Sequence, residues 1–151
     1  MPTYKAPVDS VLFLLRDVLA YERHSNLPGF ADAPLDVVEA VLNEAARFCE
    51  DVLTPLNRSG DREGCRRHAD ASVATPAGFR DAYRAYSQAG WGGLSADPQY
   101  GGQGLPYTLA AVLNEFVSSA NMAWGMYLGL TQGAIAALLQ HGSDEQKALY
   151  L

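Results

Sequence analysis

Apolar residues along this chain recur at intervals of three and four, the spacing that places them on one face of a helix. The first such stripe is Leu12, Leu15, Val18 and Leu19, with Asp9 or Ser10 ahead of it as a cap, so a helix is expected near residues 9–22, ending before SNLPGF. The second, Val38, Val41, Leu42, Ala45, Cys49 and Val52, starts near Asp36 and predicts a helix over 36–53 whose end Thr54-Pro55 weakens. Arg58–Thr75 is polar and aperiodic, which predicts a loop over 58–74 with a short extended piece around Cys65–Thr75. Phe79, Tyr83 and Tyr86 line a helix expected over 76–89, with Thr75 as cap, Pro76 at the first helical position and Gly90 as stop. WGGLSADPQYGGQGLP is rich in turn residues and reads as a loop over 91–105. Helices are expected over 106–120 and 122–140, the latter stopped by Gly142. Ser143-Asp144-Glu145-Gln146 has capping-box spacing for a last helix over 144–150. No segment alternates as a strand would. The expected fold class is all-α, a bundle of about six helices. Because Leu151 falls inside a freshly capped helix, the sequence reads as part of a longer protein.

One of these helices stands apart. Met122–Leu139, MAWGMYLGLTQGAIAALL, carries no charge, and its glycines Gly125, Gly129 and Gly133 recur every four residues. Its hydrophobic length would allow a membrane span, and Gly125-x-x-x-Gly129 matches a membrane helix-pairing pattern. Asn121, Thr131, Gln132 and Gln140 interrupt the apolar surface, however, and no basic cluster flanks it. A fully buried helix of a soluble protein accounts better for the missing charge. Each glycine costs up to about 1 kcal/mol relative to alanine in a helix interior. A face of glycines therefore needs a reason: either another helix packs closely on it, or it forms the wall of a ligand site.

Composition narrows the partners. The 151 residues have a hydrophobic share of 48% and a net charge of −6, enough apolar residues for a core. Basic residues are scattered apart from Arg66-Arg67, which argues against a nucleic-acid surface. The N-terminal MPTYKAPVDS lacks the features of a signal peptide, and Cys49 and Cys65 form no CxxC pair, so free thiols in the cytoplasm are expected. His24, His68 and His141 are too dispersed for a metal site. The YGGQG loop, Tyr100–Gly104, lacks a preceding strand and a following Lys-Ser/Thr pair, so a structural turn is expected there rather than a phosphate cradle. Glu115 is expected at a polar edge or as a hydrogen-bonded buried acid rather than as a catalytic base. Spacing alone discloses no reaction.

The stretches AGWGGLSADPQYGGQGLP and LNEFVSSANMAWGMYLGLTQGAIAALLQHGSDEQKALYL together resemble the N-terminal helical domain of acyl-CoA dehydrogenases. YKAPVDSVLFLLRDVL, PLNRSGDREGC and ATPAGFRDAYRAY resemble a long subgroup of that family with an extra N-terminal segment. The resemblance implies residues 1–34 as an extension helix and linker and residues 35–151 as the α-domain that precedes a β-domain. It implies FAD-dependent oxidation of an acyl-CoA thioester to the 2,3-enoyl-CoA. A glutamate takes the α-proton and the β-hydrogen leaves as hydride to the flavin. Flavin cradle and glutamate both belong to later domains, so no catalytic residue is expected here and the segment alone is expected to be inactive. The resemblance further implies an electron-transferring flavoprotein as acceptor and a homo-oligomer. It places Trp124, Gly125, Met126, Gly129, Leu130 and Gly133 along the acyl pocket, where their apolar or small character suits an apolar or long acyl chain. The alternatives are an alkylation-response-type homologue that binds nucleic acid and a non-catalytic helical interaction module.

Overall fold

The computed structural model describes residues 3–151; the first two residues of the expected 1–34 extension lie outside them. Among the described residues the regular structure is helical, apart from one two-stranded antiparallel ribbon. α1 (Val8–Phe13) follows Pro7, and neither Asp9 nor Ser10 caps it. It runs on into wider π-helical turns at Leu14–Val18, and a short 3-10 turn, Tyr21–His24, comes next. The wider turns rotate the residues at their end off the expected stripe. Val11 and Leu15 are buried, but Val18 and Leu19 are 58% and 55% exposed.

α2 (Leu35–Arg47) buries Val38, Leu42 and Ala45, as its period requires. It passes through π-helical turns at Phe48–Leu53 directly into α3 (Thr54–Glu63). This corrects the loop expected from residue 58 and the helix end expected at Pro55. Proline lacks a donor and crowds the preceding turn. The π-turn loosens the backbone just ahead of it: both the Thr54 amide and the Thr54 hydroxyl donate to the Cys49 carbonyl. α3 reads as loop in the sequence because its surface is almost wholly polar. Its one buried residue is Gly60, whose missing side chain leaves room for the Phe79 ring.

β1 (Arg66–Arg67) pairs with β2 (Val73–Ala74), the extended piece expected there. α4 (Phe79–Gln88) begins later than residue 76, and Thr75 does not cap it. Its N-cap position is Gly78, at φ +81, a conformation that glycine adopts without strain. The neighbouring Ala77 amide donates instead to Glu63 Oε2 of α3, at 2.9 Å. Gly90, at φ +76, stops α4 as expected.

After the loop come α5 (Tyr107–His141) and α6 (Asp144–Tyr150). α6 opens with the full capping box: Ser143 Oγ accepts from the Gln146 amide, and Gln146 Oε1 accepts from the Ser143 amide. α5 is two helices joined at Asn121, whose φ of −157 and ψ of 89 break the helical path where a break between 120 and 122 was expected. The core lies between the α2–α3 rod, α4 and the first half of α5, and Phe116, Leu42, Leu53, Leu109 and Trp124 fill it. The N-terminal segment is clamped onto this body. Glu50 takes Lys5 as ion partner and accepts from the Ala6 amide, and Tyr4 and Ala6 pack against the core.

Candidate acyl-chain wall

The helical repeat divides the residues after Asn121 between two faces. Trp124, Leu128, Ile135 and Leu139 lie on one; Met122, Met126, Gly129, Leu130 and Gly133 lie on or near the other. Trp124 is fully buried, its indole N–H donating to the Phe79 carbonyl at 3.2 Å and its ring meeting Tyr86 and Phe48 edge to face. The opposite face is open: Met126 is 70% exposed and Leu130 84%. Of the most apolar 18-residue window of α5, only 11% is buried. The fully buried helix expected from the missing charge is thus corrected for these 151 residues. The run lacks charge although, of its residues, only Trp124 and Leu128 are buried among the described residues.

The three glycines differ. A Cβ on Gly129 or Gly133 would meet no atom within 4 Å, so no helix among the described residues packs on them. A Cβ on Gly125 would stand 3.1 Å from Val117 Cγ1. Residues eight apart are separated by about 12 Å along a straight α-helix. Val117 reaches Gly125 because the helix bends at Asn121. Gly125 therefore has a packing role inside the bend, and Gly129 and Gly133 are the positions left open. Of the six residues expected at the wall, Met126, Gly129, Leu130 and Gly133 share the open face, Gly125 borders it, and Trp124 anchors the helix from the other side.

One contact ties this helix to the loop, and a second braces the loop itself. Gln132 Nε2 donates to the Gly92 carbonyl at 2.8 Å, and Gln103 Nε2 donates to the Gly90 carbonyl at 3.0 Å. The YGGQG loop is the structural turn expected of it. Its amides donate within the loop region, Gly101 to Pro98, Gly102 to Asp97, Gln103 to Gly93 and Gly104 to Ala96. With those donors engaged the loop has none to offer a flavin diphosphate.

Two of the perturbed titrating groups, Tyr86 and Cys49, belong to the core. Burial pushes the Tyr86 phenol and the Cys49 thiol each up to about 12, with nearby acidic groups adding to both shifts. Neither lies on the open face. Glu115, on the first half of α5, is exposed, in keeping with a polar edge. Among the described residues no group of three or more His, Cys, Asp or Glu is gathered as a metal site would need. Asn121 reads in the sequence as a mere interruption of an apolar stripe. The signal that marks it is its residue type, a favoured helix cap set inside an otherwise helical run.

Residues 36–151 match the family described as acyl-CoA dehydrogenase, N-terminal domain, and the chain belongs to that family. It is 39% identical over 149 residues to 3-methylmercaptopropionyl-CoA dehydrogenase of Ruegeria pomeroyi, covering 99% of this chain and 25% of that protein. It is 30% identical over 152 residues to a broad-specificity linear acyl-CoA dehydrogenase of Mycobacterium tuberculosis, covering 97% of this chain and 24% of that protein. With butyryl-CoA dehydrogenase of Syntrophomonas wolfei the identity is 31% over 119 residues, covering 78% of this chain and 19% of that protein. The chain thus spans a quarter or less of the length of these relatives. All three carry dehydrogenase names, which gives the nucleic-acid-binding alternative no support.

Proposed function

We propose that the complete protein is a flavin-dependent acyl-CoA dehydrogenase that oxidises an acyl-CoA thioester to the 2,3-enoyl-CoA, and that this segment forms one wall of its acyl pocket. The observation that carries the reading is the open glycine face: Gly129 and Gly133 cost helix stability, and none of the described residues packs on them. Beside them Met126 and Leu130 offer apolar surface to an acyl chain, and no charge lies between Phe116 and Ser143. The named activities of the three relatives support the same reaction. In it the residues of this chain bind and orient the acyl chain and keep water from it. FAD, which supplies the oxidation, would be held by parts of the protein outside these residues, as would the base that takes the α-proton. Trp124 acts in this wall from behind, by holding the helix in place.

The wider assignment is a cytoplasmic homo-oligomer that passes electrons to an electron-transferring flavoprotein. The free Cys49 and Cys65, one buried and one exposed, are consistent with a reducing compartment. α5 has the length and hydropathy of a membrane span. We read it as a protein-covered helix, because its first half lies in the core and Gln132 ties its second half to the loop at Gly92.

The test is kcat/KM of the full-length protein over a series of acyl-CoA chain lengths, with a dye as acceptor. Gly129→Leu should fill the pocket and move discrimination against long chains. The scale is about 0.8 kcal/mol for each methylene denied burial, so roughly 2–3 kcal/mol for three. An unchanged chain-length profile alongside a loss of thermal stability would remove the pocket reading. The 151-residue segment by itself should be colourless and inactive; a flavin absorption spectrum from the purified segment would contradict this.

A further inference from the structure

We infer that Asn121 is the positioning residue of this wall: by capping and tethering the second half of α5, it aims Gly129 and Gly133 and so sets which acyl chain length fits. The inference rests on the function proposed above. Asn121 is the one residue of α5 with non-helical backbone angles, and it is fully buried. Both ends of its amide are engaged. Oδ1 accepts from the Trp124 amide at 3.1 Å, the bond a helix N-cap makes to its third residue. Nδ2 donates to the Leu53 carbonyl at 3.2 Å, where the π-helical turns of the α2–α3 rod end. With one end a donor and the other an acceptor, only one orientation of the amide satisfies both partners. The cap starts a new helix, and the tether refers its direction to the α2–α3 rod of the core.

The bend is supported from its inner side by Val117 resting against Gly125. Gly129 lies eight residues beyond Asn121, about 12 Å along the helix, and Gly133 about 18 Å. A rotation of about 10° at Asn121 would therefore move Gly129 by roughly 2 Å and Gly133 by roughly 3 Å, the scale of one to two methylenes. A residue that touches no substrate thus has leverage over the depth of the site.

The test uses the full-length protein with two variants. Asn121→Ala removes both bonds. Asn121→Ser keeps a capping hydroxyl but is too short to reach Leu53, and it carries the test if the alanine protein does not fold. Two readouts are taken beside the melting temperature. The first is the distance between spin labels at positions 111 and 140, on the two halves of α5. The second is the ratio of kcat/KM for long and short acyl-CoAs. The inference expects the label distance to change in both variants, less in the serine protein. It also expects the long-to-short ratio to shift by about tenfold, the scale of a methylene gained or lost in a pocket. An unchanged distance in both variants would overturn it. So would a changed distance and a lowered melting temperature with an unshifted ratio, since Asn121 would then be structural only. If the wild-type protein turned over no acyl-CoA, the proposed function would fall instead, and the label distance alone would decide whether Asn121 sets the direction of the helix.

Discussion

The two halves of α5 are continuous in sequence and opposite in circumstance. Before Asn121 the helix buries Leu109, Leu113, Phe116, Val117 and Ala120 against the α2–α3 rod and shows Asn114 and Glu115 to solvent. That is the ordinary pattern of an amphipathic helix. After Asn121 only Trp124 and Leu128 are buried, and the exposed side is apolar and without charge. The first half is explained by contacts within these residues. The second is explained only by something that covers it, which here is read as the acyl chain and the protein around it. The difference teaches that the lack of charge on a helix reports what it meets in the complete protein, and that burial in one segment is a separate matter.

The sharpest way to break this comparison is to delete bulk from the two faces of the second half. In the segment alone, Trp124→Ala should cost about 3–5 kcal/mol, the usual loss for a buried large aromatic. Leu130→Ala, on the 84% exposed position, should stay within about 0.5 kcal/mol. Urea unfolding monitored by circular dichroism measures both, and a comparable loss for the two would mean that the faces are not distinct.

A smaller effect separates the glycines. Gly129→Ala and Gly133→Ala should each stabilise the segment by up to about 1 kcal/mol, because alanine is the better helix former and open space receives the methyl. Gly125→Ala should gain less or lose stability, because Val117 must give way. Equal gains at all three positions would show that the bend does not bring Val117 onto Gly125.

The smallest effect concerns the clamp that holds the N-terminal segment to the body. The hydrogen bond from Lys5, then that from the Ala6 amide, hold the Glu50 carboxyl below its ordinary range. A carboxyl lowered on folding contributes stability that is present above its ordinary value of about 4.3 and is lost as pH falls through its folded value. Glu50→Gln should therefore flatten the acid limb of the stability curve and leave the two halves of α5 unchanged at neutral pH. A variant whose acid limb matches the wild type would show that the clamp contributes nothing.

Much of the architecture was legible in one dimension, and the exceptions have physical causes. The stripe of Val38, Leu42, Ala45 and Cys49, the stop at Gly90, the capping box at Ser143 and the break beside Asn121 all depend on residues within a turn or two of one another. α3 is hidden in the sequence because a polar helix that meets the core through Leu56 and Gly60 has no apolar period to show. Pro55 misled because the π-turn that accommodates it is formed by Thr54 and Cys49 acting together. The cap of α4 was misassigned to Thr75 because the group that meets the neighbouring amide, Glu63, comes from another helix.

The sequence by itself determined the helical class, the neutral stretch and the spacing of its three glycines, since composition and period are properties of the chain alone. Only the tertiary structure decided what each glycine is for. Gly125 lies inside a bend against Val117, while Gly129 and Gly133 face open space, and identical spacing could not tell them apart. The reason is that the direction of the bend is tied by a contact across the fold, from Asn121 to the Leu53 carbonyl, and no local pattern records which distant backbone group a buried amide will find.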